Sequence, residues 1–194
     1  MNTPFLVLGL PRSRTFWTSK FLAFNGRRVE HNQFVRYRTL NDIVHYFDHP
    51  NVGASDPAVG AIWRDLLPHL PDVRVAVIRR SPAEVLASLR KIGTEGEFMP
   101  RLLERYAAEL DALVATGRAR AFEFALLGTP SEAAALFEYC AEAPLDVFWW
   151  QVMGTRNLQS PEVSDPLAAK EACLDGPVAR AIASFAGKEM EDAI

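Results

Sequence analysis

Two patterns of apolar residues recur along the chain. Short continuous runs bounded by glycine, proline or charge mark strands buried on both faces. Longer stretches with apolar residues every three or four positions mark helices with one buried side. Residues 4–10 form a run of the first kind, ended by Gly9 and Pro11. Residues 13–24 follow as a helix, with Phe16, Trp17, Phe21 and Phe24 at helical spacing. Val29 marks a short second strand, and residues 39–47 read as a helix with Thr39 as N-cap and Asp42 three residues on. Asp56-Pro57 is a cap followed by proline at the first helical position, predicting a helix to about Leu67.

Residues 73–78 are the second clear strand, Val-Arg-Val-Ala-Val-Ile, and they run into Arg79-Arg80. Ser81-Pro82-Ala83-Glu84 is a capping box that opens a helix carrying Val85, Leu86 and Leu89. Residues 97–115 predict a long amphipathic helix with Pro100 confined to its first turn. Residues 119–126 predict a third strand, and Thr129-Pro130-Ser131-Glu132 is another capping box, opening a helix with Leu136, Phe137 and Cys140 inward. Beyond Pro144 the pattern is vague until a last helix over 177–190. Strand and helix thus alternate. The expected fold is a single α/β domain over residues 1–194, with a mainly parallel sheet flanked by helices.

Composition narrows the class. Hydrophobic residues make up 49% of the 194, too many for a disordered chain. No apolar run reaches the ~18 residues that span a membrane, and the N-terminus lacks the basic, apolar pattern of a signal peptide. Cys140 and Cys173 are too few for a disulfide framework or a four-ligand zinc site. These features predict a soluble cytoplasmic protein without membrane or metal.

Net charge is -3, but its distribution is uneven. Residues 1–40 hold seven basic side chains against Glu30 alone, and residues 74–91 hold five against Glu84. From residue 130 onward eleven acids face four bases. Two basic islands in an acidic chain predict a local anion site rather than a nucleic-acid surface.

The first island, Gly9-Leu-Pro-Arg-Ser-Arg-Thr-Phe-Trp17, follows a buried strand and opens a helix. Open α/β sheets bind ligands at such junctions, where helix amides and the positive dipole end suit phosphate. A Walker A loop is absent: its Gly-Lys-Ser/Thr positions are occupied here by Arg14, Thr15 and Phe16. That disfavours a standard magnesium–nucleotide kinase or hydrolase.

Residues 11–17, Pro-Arg-Ser-Arg-Thr-Phe-Trp, resemble the Pro-(Lys/Arg)-Ser-Gly-Thr-Thr-Trp loop of the sulfotransferases. That family uses 3′-phosphoadenosine 5′-phosphosulfate (PAPS) and has a P-loop nucleotide-hydrolase-like fold. A second segment is similar as well. Arg80-Ser81-Pro82 and Ser88 match the family's strand-end Arg, its following Asn/Asp-Pro and a helical Ser eight residues after the Arg. Residues 121–132 and Ala54-Ser-Asp-Pro57 are softer matches, so the resemblance covers about residues 4–140. Arg14 stands where the family has glycine, Phe16 where it has a second threonine, and Ser55 where some members have lysine. The family's C-terminal Arg-Lys-Gly-x-x-Gly segment is not visible.

The resemblance implies that Arg12, Ser13, Arg14 and Thr15 hold the 5′-phosphosulfate and that Arg80 and Ser88 hold the 3′-phosphate. Arg12 then stabilises charge on the leaving phosphate, and no metal is required. The product is 3′,5′-bisphosphoadenosine. A base is needed near the acceptor, and Glu30 or His31, at the end of the second strand, are the candidates. The acceptor is a hydroxyl or amine on a small molecule, a glycan or a peptide, and nothing in the sequence chooses among them. Two other readings stay open: a non-catalytic module that binds the bisphosphate, and a divergent P-loop kinase.

Overall fold

The computed structural model describes residues 3–94, 96–154, 156–158 and 175–185. Five parallel strands make its centre: β1 (Phe5–Gly9), β2 (Arg28–His31), β3 (Val52–Ser55), β4 (Arg74–Arg79) and β5 (Ala119–Glu123). Their order is β2-β3-β1-β4-β5. Helices α1 (Thr15–Leu22), α2 (Leu40–Tyr46), α3 (Trp63–Leu66), α4 (Pro82–Arg90), α5 (Met99–Ala115), α6 (Pro130–Ala141), α7 (Val147–Met153) and α8 (Pro177–Phe185) surround it, with short 3-10 turns between. The expected single-domain α/β architecture is therefore observed.

Every residue of β1 is buried, because the strand is central and covered on both faces. Alternation along it divides the core. Leu6 and Leu8, with Val75 and Val77 of β4, face a layer that includes Val85 and Leu89 of α4 and Leu103, Tyr106 and Leu110 of α5. Phe5 and Val7, with Ala76 and Ile78, face Trp17 and Phe21 of α1 and Leu136, Phe137 and Cys140 of α6. Gly53 is required by this packing. It pairs with Phe5 across the sheet, and a Cβ there would lie 2.2 Å from the Phe5 ring.

Local capping chemistry sets the helix starts. The Thr39 and Asp42 side chains form a reciprocal capping box, Ser81 accepts from the Glu84 amide, and Thr129 accepts from the Glu132 amide. Three predicted elements differ. The expected helix after Asp56-Pro57 is split into a 3-10 turn over Pro57–Ala61, then α3, then a second turn over Leu67–His69. The third strand stops at Glu123, and Phe124–Leu126 turn as 3-10 helix. Two elements escaped the sequence reading, β3 and α7.

The last helix is observed over Pro177–Phe185, and the rest of its expected span lies outside the described residues, as does Cys173. Cys140 is a buried free thiol. Among the described residues, no helix is long and apolar enough to cross a membrane, and no cluster of His, Cys, Asp and Glu has the arrangement of a metal site.

The topology fixes where a ligand meets the sheet. The chain leaves β1 toward β3 and β2 on one side, then returns to β4 and β5 on the other. The connections of the adjacent strands β1 and β4 leave in opposite directions, to β2 and to β5, and such a switch point opens the crevice in which open sheets bind ligands. Both basic junctions, β1–α1 and β4–α4, end there.

Candidate functional site: the β1–α1 and β4–α4 junctions

The β1–α1 loop turns over the end of β4. Gly9 pairs with Ile78, and a Cβ on Gly9 would press on the Ile78 carbonyl at 3.1 Å, so the close approach requires glycine. Arg12 and Arg14 then adopt left-handed backbone conformations, with φ of 65° and 59°. For residues with a Cβ this costs on the order of 1–3 kcal/mol each, a strain that concentrates at binding sites. The turn is closed by the Ser13 amide, which donates to the Leu10 carbonyl at 3.2 Å; left-handed residues in such turns belong to the nest geometry that holds anions. Arg14 keeps the conformation that favours glycine although it is not glycine.

Side chains reinforce the cradle. Ser13 is fully buried, and its Oγ has no hydrogen-bond partner among the described residues. The Arg14 guanidinium lies 5.5 Å from the Trp17 ring and 6.0 Å from the Phe124 ring. Its Nη1 is buried, again without a partner among the described residues. Thr15 begins α1, and its Oγ1 lies 3.2 Å from His31 Nε2.

The second junction meets the first directly. Arg80 Nη1 donates to the Arg12 carbonyl. Arg12 Nε donates to Ser88 Oγ at 3.2 Å, and Ser88 lies two turns along α4 from the Ser81 cap. The Arg80 guanidinium stacks 3.9 Å over Phe124, and its Nε is buried without a partner among the described residues. Burial lowers the Arg80 pKa; Glu84 opposes the shift, and Arg12 and Arg14 press with it. Three guanidinium groups thus crowd one crevice. An anion carrying two or more negative charges is the natural complement.

Of the predicted residues, Arg12, Ser13, Arg14, Thr15, Arg80 and Ser88 converge. The expectation that Arg80 and Ser88 act as a pair takes a specific form here, because they are linked through Arg12. His31 joins the cluster through Thr15; Glu30 does not. Adjacent strand residues face opposite ways. Glu30 Oε1 accepts from Arg28 Nε at 2.8 Å, whereas His31 packs edge-on to Phe16 at 5.3 Å. Burial pushes the His31 pKa down to about 4, with Lys20 adding to the shift, so the ring is neutral at physiological pH.

Phe124 is the residue of this site that the sequence did not mark. It follows β5 and underlies both Arg80 and Arg14; the sequence placed it inside the strand expected over 119–126 and inside the softer 121–132 match, with nothing that marked its ring for the site. Asp56 is a cap, as expected. Its carboxylate accepts from the amides of Phe34 at 2.9 Å and Ala58 at 3.0 Å. Complete burial still raises its pKa to about 6. Trp149 and Trp150 pack behind α1, where Trp149 Nε1 donates to the Phe21 carbonyl at 2.8 Å and Trp150 meets the Phe21 ring edge.

No family model and no curated protein sequence matches the chain. Its fold is similar to that of a gluconokinase from Sinorhizobium meliloti 1021, with a TM-score of 0.50 and 14% identity, covering 78% of this chain and 93% of that one. A sulfotransferase from Alicyclobacillus acidocaldarius aligns over 97% of both chains at a TM-score of 0.49 and 9% identity. At such identity the likeness to the gluconokinase concerns the fold, a P-loop-like α/β arrangement, and leaves the chemistry to the residues.

Proposed function

We propose that the protein is a sulfotransferase that moves a sulfuryl group from PAPS to a hydroxyl or amine acceptor. The contact between Arg12 and Ser88 is the observation that carries this reading. It joins the two motifs that resemble the family's 5′-phosphosulfate loop and 3′-phosphate site into one cationic crevice. The residues fit such a ligand: a buried hydroxyl on Ser13 and buried N–H groups on Arg14 and Arg80 have no partner among the described residues. Bound PAPS supplies a sulfuryl group whose S–O bond to phosphate breaks as the acceptor oxygen or nitrogen bonds to sulfur.

The chain's own groups then have distinct tasks. Ser13, Arg14 and the left-handed loop bind the 5′ end. Arg80 and Ser88 bind the 3′-phosphate, which separates PAPS from ATP. Arg12 stabilises the negative charge that develops on the leaving phosphate oxygen. His31, held neutral, takes the acceptor's proton through or beside Thr15 Oγ1; Glu30 is engaged by Arg28. The test is transfer of radiolabelled sulfuryl from PAPS to a panel of phenols, sugars and amines in the presence of EDTA. Labelled product supports the reading. Tight bisphosphate binding without transfer to any acceptor contradicts it and favours a non-catalytic binding module.

A further inference from the structure

Phe16 stands between two buried neighbours at the start of α1, Thr15 and Trp17, yet it is only half-buried. Among the described residues it belongs to neither core layer, although its ring is large and apolar. Strand register explains what it meets. His31 pairs with Ser55, and Ser55 with Val7, so the three point to the α1 face of the sheet. Glu30 pairs with Ala54 and points to the other face, where Arg28 engages it. Phe16 lies against His31, and the two rings meet edge-on at 5.3 Å.

Cations border this aromatic step. Lys20, one turn along α1, is exposed and places its Nζ 5.2 Å from the Phe16 ring. It also presses the His31 pKa down, so its charge reaches the imidazole. Arg36 and Arg38 are exposed on the segment that follows β2. Residues 1–40 set a single acid, Glu30, against seven bases, and Glu30 lies on the opposite face. A molecule with a flat apolar face and an acid group finds a complement to each here, whereas an amine is repelled. This is also the reacting side of the loop: Thr15 Oγ1, in the anion cradle, lies 3.2 Å from His31 Nε2.

We infer that Phe16, Lys20 and His31 form the acceptor platform, and that it selects an anionic acceptor: a hydroxylated molecule with a flat apolar face and an acid group. The inference rests on the sulfuryl-transfer reading, since it names the class of that reaction's second substrate. The apolar face packs on Phe16, the acid group faces Lys20, and the hydroxyl reaches His31 beside Thr15. The hydroxyl oxygen bonds to sulfur as the S–O bond to phosphate breaks. The electron pair of that bond stays on the phosphate oxygen, and the hydroxyl proton passes to His31.

The test uses phenols of one shape and different charge: 4-hydroxyphenylacetate, tyrosol and tyramine. Each is titrated into the full chain, with and without 3′,5′-bisphosphoadenosine, and ¹H–¹⁵N correlation spectra read the amides of Phe16, Lys20, His31 and Gln33. The acid is expected to bind about fivefold or more tightly than the amine, with tyrosol between, on the scale of an exposed ion pair. Added salt narrows the difference. Lys20→Glu, at an exposed position, reverses the order. Lys20 also acts on His31, so ligands are compared within one variant, where a common change cancels. Equal affinities, preference of the wild type for tyramine, an order unmoved by Lys20→Glu, or no shift at these amides would overturn the inference. Transfer from labelled PAPS to the same phenols is read separately. Binding of the acid at these amides without transfer counts against the sulfuryl-transfer reading and supports the anion-selective platform, so the two failures remain distinct.

Discussion

Arg12 donates through Nε to Ser88 Oγ at 3.2 Å, across 76 residues of chain. The contact ties the loop after β1 to the helix after β4, the two strands that pair along the centre of the sheet. It places a cation from one motif beside a hydroxyl from the other. In the proposed reaction, the side chain assigned to leaving-group charge is thereby held by the group assigned to the 3′-phosphate.

Arg12→Ala is expected to lower kcat by about 10²–10³, the usual cost of removing one preorganised donor to developing charge. Affinity for PAPS falls less. Steady-state kinetics with a working acceptor check the split, and a normal kcat removes Arg12 from the reaction.

Arg80→Ala is expected to weaken binding of 3′,5′-bisphosphoadenosine by about 1.5–3 kcal/mol, the range for hydrogen bonds to charged groups. AMP loses much less, the remainder reflecting the lost support of the Arg12 carbonyl. Calorimetry on both ligands checks this; equal losses take Arg80 away from the 3′-phosphate.

Two buried groups give opposing pH dependences. His31 is lowered from 6.5 to about 4, so it contributes stability above pH 6.5 that is lost as pH falls toward 4. Asp56 is raised from 3.8 to about 6, so it favours the fold at low pH, and that contribution is lost as pH rises through this window. In the wild type the two slopes offset between about pH 4 and 6. His31→Gln exposes a stability that falls with rising pH, and Asp56→Asn one that rises. Urea midpoints at pH 4.5, 5.5 and 6.5 read the signs, and parallel curves for both variants contradict the assignment.

Arg27 holds α6 rather than the ligand. It is 6% exposed, donates to the carbonyls of Cys140 and Ala141 at the end of that helix, and lies over the Phe5 ring. Arg27→Met leaves those carbonyls buried without a donor and is expected to cost about 1–3 kcal/mol in urea unfolding. Bisphosphate affinity of the folded variant is unchanged. A large loss of affinity would give Arg27 a second role.

Signals that are local in the chain were legible in the sequence. The runs that became β1 and β4 are long and bulky enough to read alone, and the boxes at Thr39, Ser81 and Thr129 fixed three helix starts. β3 was not legible, because Val52-Gly-Ala-Ser55 has one bulky residue and little strand preference of its own. It is a strand because β1 and β2 pair with it from both sides. The helix expected after Asp56 broke where Gly60 weakens it and Pro68 lacks an amide hydrogen. The start of α7 rests on Asp146 accepting from the Trp149 amide, a cap hidden in an irregular stretch.

The site divides in the same way. Spacing marked Arg12, Ser13, Arg14, Thr15, Arg80 and Ser88 as two separate motifs. Their meeting, the stacking of Arg80 on Phe124 and the separation of Glu30 from His31 depend on the sheet order, which no local pattern encodes. The left-handed Arg14 is instructive: the loop that residues 11–17 resemble has glycine at this position, and Arg14 adopts the backbone conformation that favours glycine.

Isothermal calorimetry with 3′,5′-bisphosphoadenosine, against AMP and ATP-magnesium as controls, tests the central claim most directly. One site per chain with micromolar affinity for the bisphosphate, and at least tenfold weaker binding of both controls, is the predicted result. No bisphosphate binding, or preference for ATP-magnesium, contradicts the claim that the two junctions form one PAPS site.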